Sequence, residues 1–264
     1  MKRLQDKVAV VTGGGSGLGK AICLEFAREG AHVVVVDNSK DHAETVAKEV
    51  RTLGREGIAF VADVTDSGKV KSIADEVNKK FGKTDILVTS AGVMGERTFI
   101  VNTSDEGWRR TIDINLNAGF YCVKAFLPKM MEQKTGRVIM ISSTSGKLPA
   151  AMNADYSASK HGVIGLTKAL AMELCLLGLT GITANAICPG STQTPMIDQI
   201  TEHMRPLTGE EPEKFKQERI ASKCLQQRLL EPAEIAFMAV YLASDEARGI
   251  TAQAMCVDGG TVIS

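Results

Sequence analysis

A tyrosine and a lysine four residues apart, Tyr156 and Lys160, are the side chains of this sequence best suited to acid–base chemistry. Apolar residues recur at steps of three and four after them, which predicts a long buried helix over residues 155–178. Positions i and i+4 share one helix face, so the ammonium would lie beside the phenol. Lowering a tyrosine pKa by roughly 3 units takes about 4 kcal/mol of phenolate stabilisation. A helix with an unrelated tyrosine and lysine is the alternative reading of the pair.

A glycine-rich turn at residues 12–19 follows the β-branched run Val8–Thr12, which is typical of a strand buried on both faces. The spacing of Gly13, Gly17 and Gly19 differs from G-x-G-x-x-G, but the physical reasons for glycine are the same. Glycines permit a tight turn, let the backbone approach a pyrophosphate and aim a helix N-terminus at the phosphates. A flexible loop is the alternative, but a position between the first strand and the first helix favours a dinucleotide site.

Asp37 ends the second predicted strand, 18 residues after Gly19. A carboxylate there can bind the hydroxyls of an adenosine ribose and repels a 2′-phosphate. Neither Ser16 nor Asn38 adds a positive charge. The sequence therefore predicts NAD rather than NADP as the cofactor, although Asp37 could also serve as a turn or capping residue.

Apolar strands alternate with amphipathic helices along the chain. Strands are predicted at residues 8–12, 33–36, 58–62, 86–89, 138–141, 183–188 and 255–257, and helices near 18–28, 40–53, 67–81, 105–131, 155–178 and 232–244. The predicted helix caps are Ser39 and Asp66, and the predicted stops are Gly30, Gly54, Gly82 and Gly136. This alternation predicts an α/β fold, with residues 1–264 forming a single domain around a Rossmann-type, doubly wound parallel sheet of about seven strands with helices on both faces. Ligands of such sheets bind beyond the carboxyl ends of the strands.

Residues 191–230 interrupt the alternation. They are polar, contain Pro195, Pro206 and Pro212, and separate a strand from the last helix. An insertion there is placed to act as a substrate lid, and a merely long connection is the alternative.

The T-G-x-x-x-G-x-G turn, the Y-x-x-x-K helix and their order resemble the short-chain dehydrogenases/reductases over nearly the whole chain. This resemblance implies a catalytic set of Asn115, Ser143, Tyr156 and Lys160. Tyr156 would be the general acid/base that interconverts a secondary alcohol and a ketone, and Lys160 would lower its pKa and bind the nicotinamide ribose. Ser143 would polarise the carbonyl, and Asn115 would hold a water that links Lys160 to solvent.

The motifs and the resemblance together imply an extended cofactor site. The predicted cofactor-binding residues are Gly13, Ser16, Gly17, Leu18, Gly19, Asp37, Asp63, Val64, Ser90, Ala91, Gly92, Tyr156, Lys160, Pro189, Gly190, Thr192 and Thr194. Three positions depart from the family pattern, the first being Thr89 in place of the first asparagine of Asn-Asn-Ala-Gly. Ser90 replaces the second asparagine of the usual Asn-Asn-Ala-Gly, and Thr192 stands where a branched apolar residue is common.

The substrate wall is expected from residues 93–98, 144–153 and 191–207. They combine apolar Met94, Leu148, Met152 and Met196 with polar Arg97, Ser145, Lys147, Asn153, Gln193 and Arg205. This mixture favours a polar or anionic hydroxy compound with a bulky apolar part. The alternative is that Lys147 and the arginines face water.

Composition limits the other classes of function. The 264 residues carry 31 basic and 31 acidic side chains, so the chain lacks the positive charge of a nucleic-acid binder or a membrane-surface protein. The six scattered cysteines and four histidines predict reduced thiols and no metal site. The sequence begins without a signal peptide and contains no membrane-spanning run, so a cytoplasmic protein is expected.

Two other functions remain open. One is a 3-oxoacyl carrier-protein reductase, which shares the fold and the catalytic set but generally uses NADP. The other is a non-catalytic nucleotide sensor, although such proteins usually lack the tyrosine or the lysine. Helices 105–131 and 155–178 are long and apolar, and family members commonly pair these helices, so a homotetramer or a homodimer is expected.

Overall fold

A single parallel sheet of seven strands forms the centre of the computed structural model, which describes residues 2–263 without the side chains of residues 207, 208 and 219. The spatial order is β3-β2-β1-β4-β5-β6-β7. The strands are β1 (Val8–Thr12), β2 (His32–Asp37), β3 (Gly57–Val61), β4 (Ile86–Thr89), β5 (Gly136–Ile141), β6 (Ile182–Pro189) and β7 (Ala254–Val257). All six neighbouring pairs are parallel, which confirms the predicted fold class.

Helices cover both faces of this sheet. They are α1 (Gly17–Arg28), α2 (Lys40–Thr52), α3 (Ser67–Phe81), α4 (Asp105–Ile112), α5 (Ala118–Gln133), α6 (Ala154–Leu176), α7 (Pro195–Thr208), α8 (Pro212–Phe215) and α9 (Pro232–Ala243). Alternate residues of β1 point to opposite faces: Ala9 and Val11 pack in the core with α1, α2 and α9, and Val8 and Val10 in the core with α3, α5 and α6. Strands buried on both faces explain the continuous apolar runs of the sequence.

The predicted helix boundaries hold except at Gly136. Ser39 and Asp66 cap their helices by accepting the N–H groups of His42 and Lys69, and Gly82 ends α3 in the left-handed conformation. The predicted helical stretch near 105–131 is confirmed as a continuous helical segment, in which a π-helical turn at Asp113–Asn117 joins α4 to α5 with right-handed helical φ and ψ at both junctions. Gly136 is not the helix stop. Lys134 takes the left-handed conformation that ends α5, and Gly136 begins β5.

Residues 191–230 fold over the carboxyl end of the sheet as α7, α8, a π turn (Lys216–Ile220) and a 3-10 turn (Ala221–Lys223). Two backbone hydrogen bonds close the segment at its base. Gln193 N–H donates to the Leu230 carbonyl (2.8 Å), and Leu230 N–H donates to the Ser191 carbonyl (2.9 Å).

Several predictions concern the whole chain. Cysteines 23, 122, 175, 188, 224 and 256 are all free thiols, as expected. Within residues 2–263, no helix is both long enough and apolar enough to cross a bilayer. Residues 1 and 264 of the predicted domain, and the Leu207 side chain of the predicted substrate wall, lie outside the described part. The cytoplasmic location stays a prediction.

Candidate active site

A cavity of about 1120 Å³ lies at the carboxyl edge of the sheet, where the strand order reverses between β1 and β4. The turns that follow these two strands cross closely. A Cβ added to Gly13 would lie 2.7 Å from the Ala91 Cα, and one added to Gly19 would lie 2.0 Å from the Gly13 carbonyl oxygen. Gly13 also has a φ of 63°. This crossing therefore requires glycine at positions 13 and 19.

Every residue predicted to contact the cofactor lines this cavity. The set comprises Gly13, Ser16, Gly17, Leu18, Gly19, Asp37, Asp63, Val64, Ser90, Ala91, Gly92, Tyr156, Lys160, Pro189, Gly190, Thr192 and Thr194. Gly17 and Thr194 face each other across it, since a Cβ on Gly17 would lie 3.7 Å from the Thr194 Cβ. Ser90 is held through its backbone, because its N–H donates to the Thr12 hydroxyl and carbonyl, each at 3.2 Å. The glycine-rich turn and the segment after β6 thus form opposite walls of one cleft.

Asp37 is fixed at one end of the cleft. One carboxylate oxygen accepts the Gly15 N–H (2.9 Å) and the other accepts the Ser39 N–H (3.0 Å). The side chain is buried but lines the cavity, and the neighbouring wall contains Ser16, Asn38 and His42. These three neighbours carry no permanent positive charge.

Ser143, Tyr156 and Lys160 meet at the other end of the cleft. Ser143 follows β5, and the other two lie one turn apart on α6. The Lys160 Nζ lies 5.6 Å from the centre of the Tyr156 ring and donates to the Ile141 carbonyl (3.0 Å). The Ser142 hydroxyl donates to the Lys160 carbonyl (2.8 Å). The end of β5 therefore contacts Lys160 twice, once through the lysine side chain and once through its backbone.

The groups that shift the pKa of the Tyr156 phenol differ from the one that the sequence predicted. Burial raises the pKa of Tyr156 above its ordinary value of 10.0, while a hydrogen bond with Ser143 and the charge of Arg97 act to lower it. The sequence pointed to Lys160 as the cation that lowers this pKa. Burial lowers the pKa of Lys160 itself to about 8, and its Nζ is drawn to the Ile141 carbonyl. Arg97 is the cation that the sequence reasoning did not connect with the phenol.

Asn115 lies in the π turn, behind the cavity rather than on its wall. Its carboxamide accepts the Val93 N–H (2.8 Å), donates to the Val93 carbonyl (3.0 Å) and donates to the Ser159 hydroxyl (3.1 Å). Both amide hydrogens are therefore used within the protein. The side chain clamps the segment after β4 to α6, whereas the sequence predicted that it holds a water.

Asp155 was missed because a carboxylate next to a tyrosine carries no sequence signal. It is 2% exposed and accepts hydrogen bonds from the Thr111 hydroxyl (2.9 Å), the Glu96 N–H (3.1 Å) and the Tyr156 N–H (2.7 Å). This side chain therefore joins α4, the segment after β4 and the start of α6.

The residues predicted for the substrate wall fall into two groups, those that line the cavity and those that do not. Met94, Arg97, Ser145, Leu148, Asn153 and Met196 line the cavity, and Lys147, Met152, Gln193 and Arg205 do not. Arg205 is exposed and pairs with Glu211. Proximity in sequence to a strand end cannot tell which side of a turn faces inward, so these four assignments were wrong. The sequence reasoning also missed Arg110 and several apolar residues, including Ile200, Phe215 and Ile220.

The fold and this cleft define a nicotinamide-dependent oxidoreductase of the doubly wound α/β type. The family model for short chain dehydrogenases matches residues 7–205, and the chain belongs to that family. It is similar to the 3-oxoacyl-[acyl-carrier-protein] reductase FabG of Thermotoga maritima, with 35% identity over 99% of this chain and 100% of that protein.

Solved structures show the same architecture. A variant of actinorhodin polyketide ketoreductase with NADPH superposes with a TM-score of 0.91 at 36% identity, covering 99% of each chain. Carveol dehydrogenase from Mycobacterium avium in complex with NAD superposes with a TM-score of 0.92 at 29% identity, again covering 99% of each chain. These relatives comprise both NADPH and NAD complexes.

Proposed function

We propose that this protein is an NAD-dependent oxidoreductase that interconverts a secondary alcohol and a ketone by hydride transfer. The observation that carries the proposal is the meeting of Ser143, Tyr156 and Lys160 in the same cleft as the glycine-rich turn. The cleft volume of about 1120 Å³ suits a dinucleotide and a substrate together, since pockets for one ligand measure about 300–1,000 Å³. A bound nicotinamide supplies the hydride acceptor for oxidation and the hydride donor for reduction.

The protein side chains divide the remaining work. Tyr156 takes the hydroxyl proton of the alcohol and returns it to the carbonyl oxygen in the reverse direction. Ser143 hydrogen-bonds that oxygen and stabilises the charge that develops on it. Within the described chain Lys160 uses one hydrogen bond on the Ile141 carbonyl, which leaves N–H donors for the ribose hydroxyls. Asn115 positions this group through Val93 and Ser159.

Asp37 supports NAD over NADP. Its carboxylate is held at the cavity wall by two backbone N–H groups, at the position expected for the adenosine ribose. A 2′-phosphate there would meet a negative charge, and Ser16, Asn38 and His42 offer no permanent positive charge to offset it.

A second candidate function is the reduction of a 3-oxoacyl thioester on a carrier protein. The observation in its favour is the similarity over the full length to a reductase of that name. That reaction predicts NADPH as the donor, which Asp37 opposes. A nucleotide sensor without turnover is the least favoured candidate, because Ser143, Tyr156 and Lys160 are all assembled in the cleft.

We also infer one catalytic domain with a lid at residues 191–230. Residues Thr194, Pro195, Met196, Ile197, Gln199, Ile200, Phe215, Ile220 and Lys223 of this segment line the cleft. A homotetramer or a homodimer is supported by exposed apolar side chains on α5 and α6, namely Phe120, Met172 and Leu176. Sedimentation equilibrium tests the assembly, and a monomer at micromolar concentration would contradict it.

Initial rates with NAD and NADP test the proposed function. The substrates are secondary alcohols, polyols, hydroxysteroids and hydroxy acids at about pH 9, where the phenolate is more populated. The Tyr156→Phe variant should lose activity at least 10²-fold. Tyr241→Phe, a tyrosine of α9 outside the cavity lining, is the matched control. Turnover that survives in Tyr156→Phe would refute the mechanism, and a preference for NADPH with 3-oxoacyl thioesters would favour the second candidate.

A further inference from the structure

Arg97 presents an unpaired positive charge to the cleft. It lies in the segment after β4 and lines the cavity, and its positive charge acts to lower the pKa of Tyr156. Its Nε is buried and has no hydrogen-bond partner. In the part of the chain that the structure describes, the guanidinium makes no salt bridge, in contrast to surface arginines such as Arg109. An unpaired, partly buried charge is costly and calls for a ligand.

The backbone at Arg97 is strained in a way that fits such a role. Its φ of 52° is left-handed, a conformation that is unfavourable for a residue with a side chain. Asp155 supports this conformation, because its carboxylate accepts a hydrogen bond from the N–H of Glu96, the residue before Arg97. The Asp155 carboxylate is near enough for its negative charge to act on the pKa of Arg97. Among the described residues, however, its hydrogen bonds come from Glu96, Thr111 and Tyr156, and it forms no salt bridge with the guanidinium.

Asn153 adds a second unsatisfied group to the same cavity. It is 4% exposed, lines the cavity, and its Oδ1 has no hydrogen-bond partner. It stands at the N-cap position of α6, three residues before Tyr156, but its side chain does not cap the helix. Its amide therefore remains available to a ligand, and rotation about χ2 can present either the oxygen or the N–H donors.

The charges that line the cleft are distributed unequally. Among the described residues the acidic side chains on its wall are Asp37 and Asp63, both assigned to the adenosine end, and none lies on the substrate segments. The predicted substrate segments contribute Arg97 and Asn153 together with an apolar surface, and two further cations on the cavity wall, Arg110 and Lys223, come from outside those segments. The apolar surface is formed by Met94, Leu148, Pro149, Met196, Ile200 and Phe215.

We propose that Arg97 and Asn153 form a carboxylate-binding subsite beside Tyr156, and that the substrate is a hydroxy acid or the matching oxo acid with an apolar body. The planar guanidinium would bind the carboxylate through two parallel N–H donors, and the Asn153 amide would donate a further hydrogen bond. The apolar body would lie against the methionine and leucine side chains of the wall. This inference rests on the proposed dehydrogenase function and specifies its substrate class.

A matched substrate pair tests the subsite. Rates are measured for 2- and 3-hydroxy acids with aryl or alkyl bodies and for their methyl esters, which keep the reacting carbon but lack the charge. Wild type should prefer the acids. Arg97→Gln should lower kcat/KM for the acid about 10- to 100-fold, and should lower it at least tenfold less for the ester. Arg97→Lys should recover part of the preference, and Arg109→Gln on the exposed face of α4 is the control for losing an arginine.

Binding gives a readout that does not need turnover. Calorimetric titration of 4-phenyl-2-oxobutanoate and its methyl ester into the NAD complex, which has no hydride to donate to an oxo group, should show weaker acid binding in Arg97→Gln and Asn153→Ala. If Arg97→Gln weakened the binding of acid and ester equally and moved the pH–rate profile to higher pH, Arg97 would act only through the Tyr156 phenol. That result would overturn the proposed carboxylate subsite. An unchanged acid affinity would overturn it as well. A third outcome is activity on neutral alcohols that is lost in Tyr156→Phe and kept in Arg97→Gln. This outcome would refute the proposed substrate class and would leave the dehydrogenase function intact.

Discussion

The carboxylate of Asp155 accepts a hydrogen bond from the backbone N–H of Glu96 at 3.1 Å, and Glu96 is the residue before Arg97. The same carboxylate accepts the N–H of Tyr156 at 2.7 Å and the hydroxyl of Thr111 at 2.9 Å. A Cβ on Gly95 would lie 2.5 Å from this carboxylate, so the segment after β4 passes directly over it. One buried side chain therefore sets the distance between the cation and the phenol of the cleft.

Asp155→Asn should weaken both the fold and the site. An amide nitrogen cannot accept a hydrogen bond, so one or two of the three donors lose their acceptor inside the protein. Each buried donor left unsatisfied costs about 1–3 kcal/mol of unfolding free energy. Urea unfolding measures this loss, and kcat/KM should fall with it. Asp113→Asn, on an exposed face, is the matched control. Equal stability of the two variants would contradict the role of Asp155.

Ser143→Ala should move the pH dependence of alcohol oxidation to higher pH. Oxidation needs the phenolate, and the Ser143 hydrogen bond lowers the pKa of Tyr156 against the larger effect of burial. Without that bond the pKa rises, so the acid limb of the kcat/KM profile shifts to the alkaline side. The rate above this limb should also fall about 10²- to 10³-fold, because charge on the substrate oxygen loses a donor. Ser72→Ala on the surface of α3 is the control. An unshifted limb would remove Ser143 from contact with the phenol.

Lys160→Met should stabilise the cofactor-free protein at neutral pH. Burial lowers the pKa of Lys160 from 10.5 to about 8, so the unfolded chain binds more protons between these values. The folded protein consequently carries a penalty of about 3 kcal/mol below pH 8 that disappears as the pH rises towards 10.5. The difference in unfolding free energy between variant and wild type should shrink over this window. Lys168→Met, exposed on the same helix, should show no such change.

The sheet and the dinucleotide cleft could be predicted because each depends on a local pattern. The strand runs, such as Val33–Val36, are apolar on both faces, and Gly13 and Gly19 stand where two turns cross with no room for a Cβ. Asp37 and Tyr156 also lie at fixed distances from these signals along the chain. For these residues, the number of residues that separates them from a strand or a glycine turn is enough to predict where they lie in the fold.

The contacts across elements could not be predicted. In the π turn at Asp113–Asn117, the Asn115 side chain accepts a hydrogen bond from the Val93 N–H and donates one to the Ser159 hydroxyl, and these partners are 22 and 44 residues away in the chain. Asp155 has no sequence signal, because its partners come from α4 and the segment after β4. Lys147 shows the converse error, since this basic residue near a strand end does not line the cavity.

Gly19→Ala should abolish cofactor binding. The added Cβ would lie 2.0 Å from the Gly13 carbonyl oxygen, a contact that only movement of the backbone can relieve. That movement would displace the turn between β1 and α1, which lines the cleft. Quenching of intrinsic fluorescence by NADH measures the affinity. Gly165→Ala is the matched control, because its Cβ would meet no atom within 4 Å in α6 and alanine favours a helix. Retained affinity in Gly19→Ala would show that the turn does not hold the dinucleotide.

Asp37→Ala should reduce the discrimination between NAD and NADP. In the wild type the carboxylate is anchored by the Gly15 and Ser39 N–H groups, so it cannot turn away from a 2′-phosphate. Removing it deletes both an acceptor for the ribose hydroxyls and a repulsive charge. The kcat/KM with NAD should fall about tenfold, as expected for one hydrogen bond to a charged group, while that with NADP should rise. Asp63→Ala, which lines the same end of the cleft, separates the specific effect from a general loss of negative charge. If both variants changed the two coenzymes equally, Asp37 would not be the residue that selects NAD.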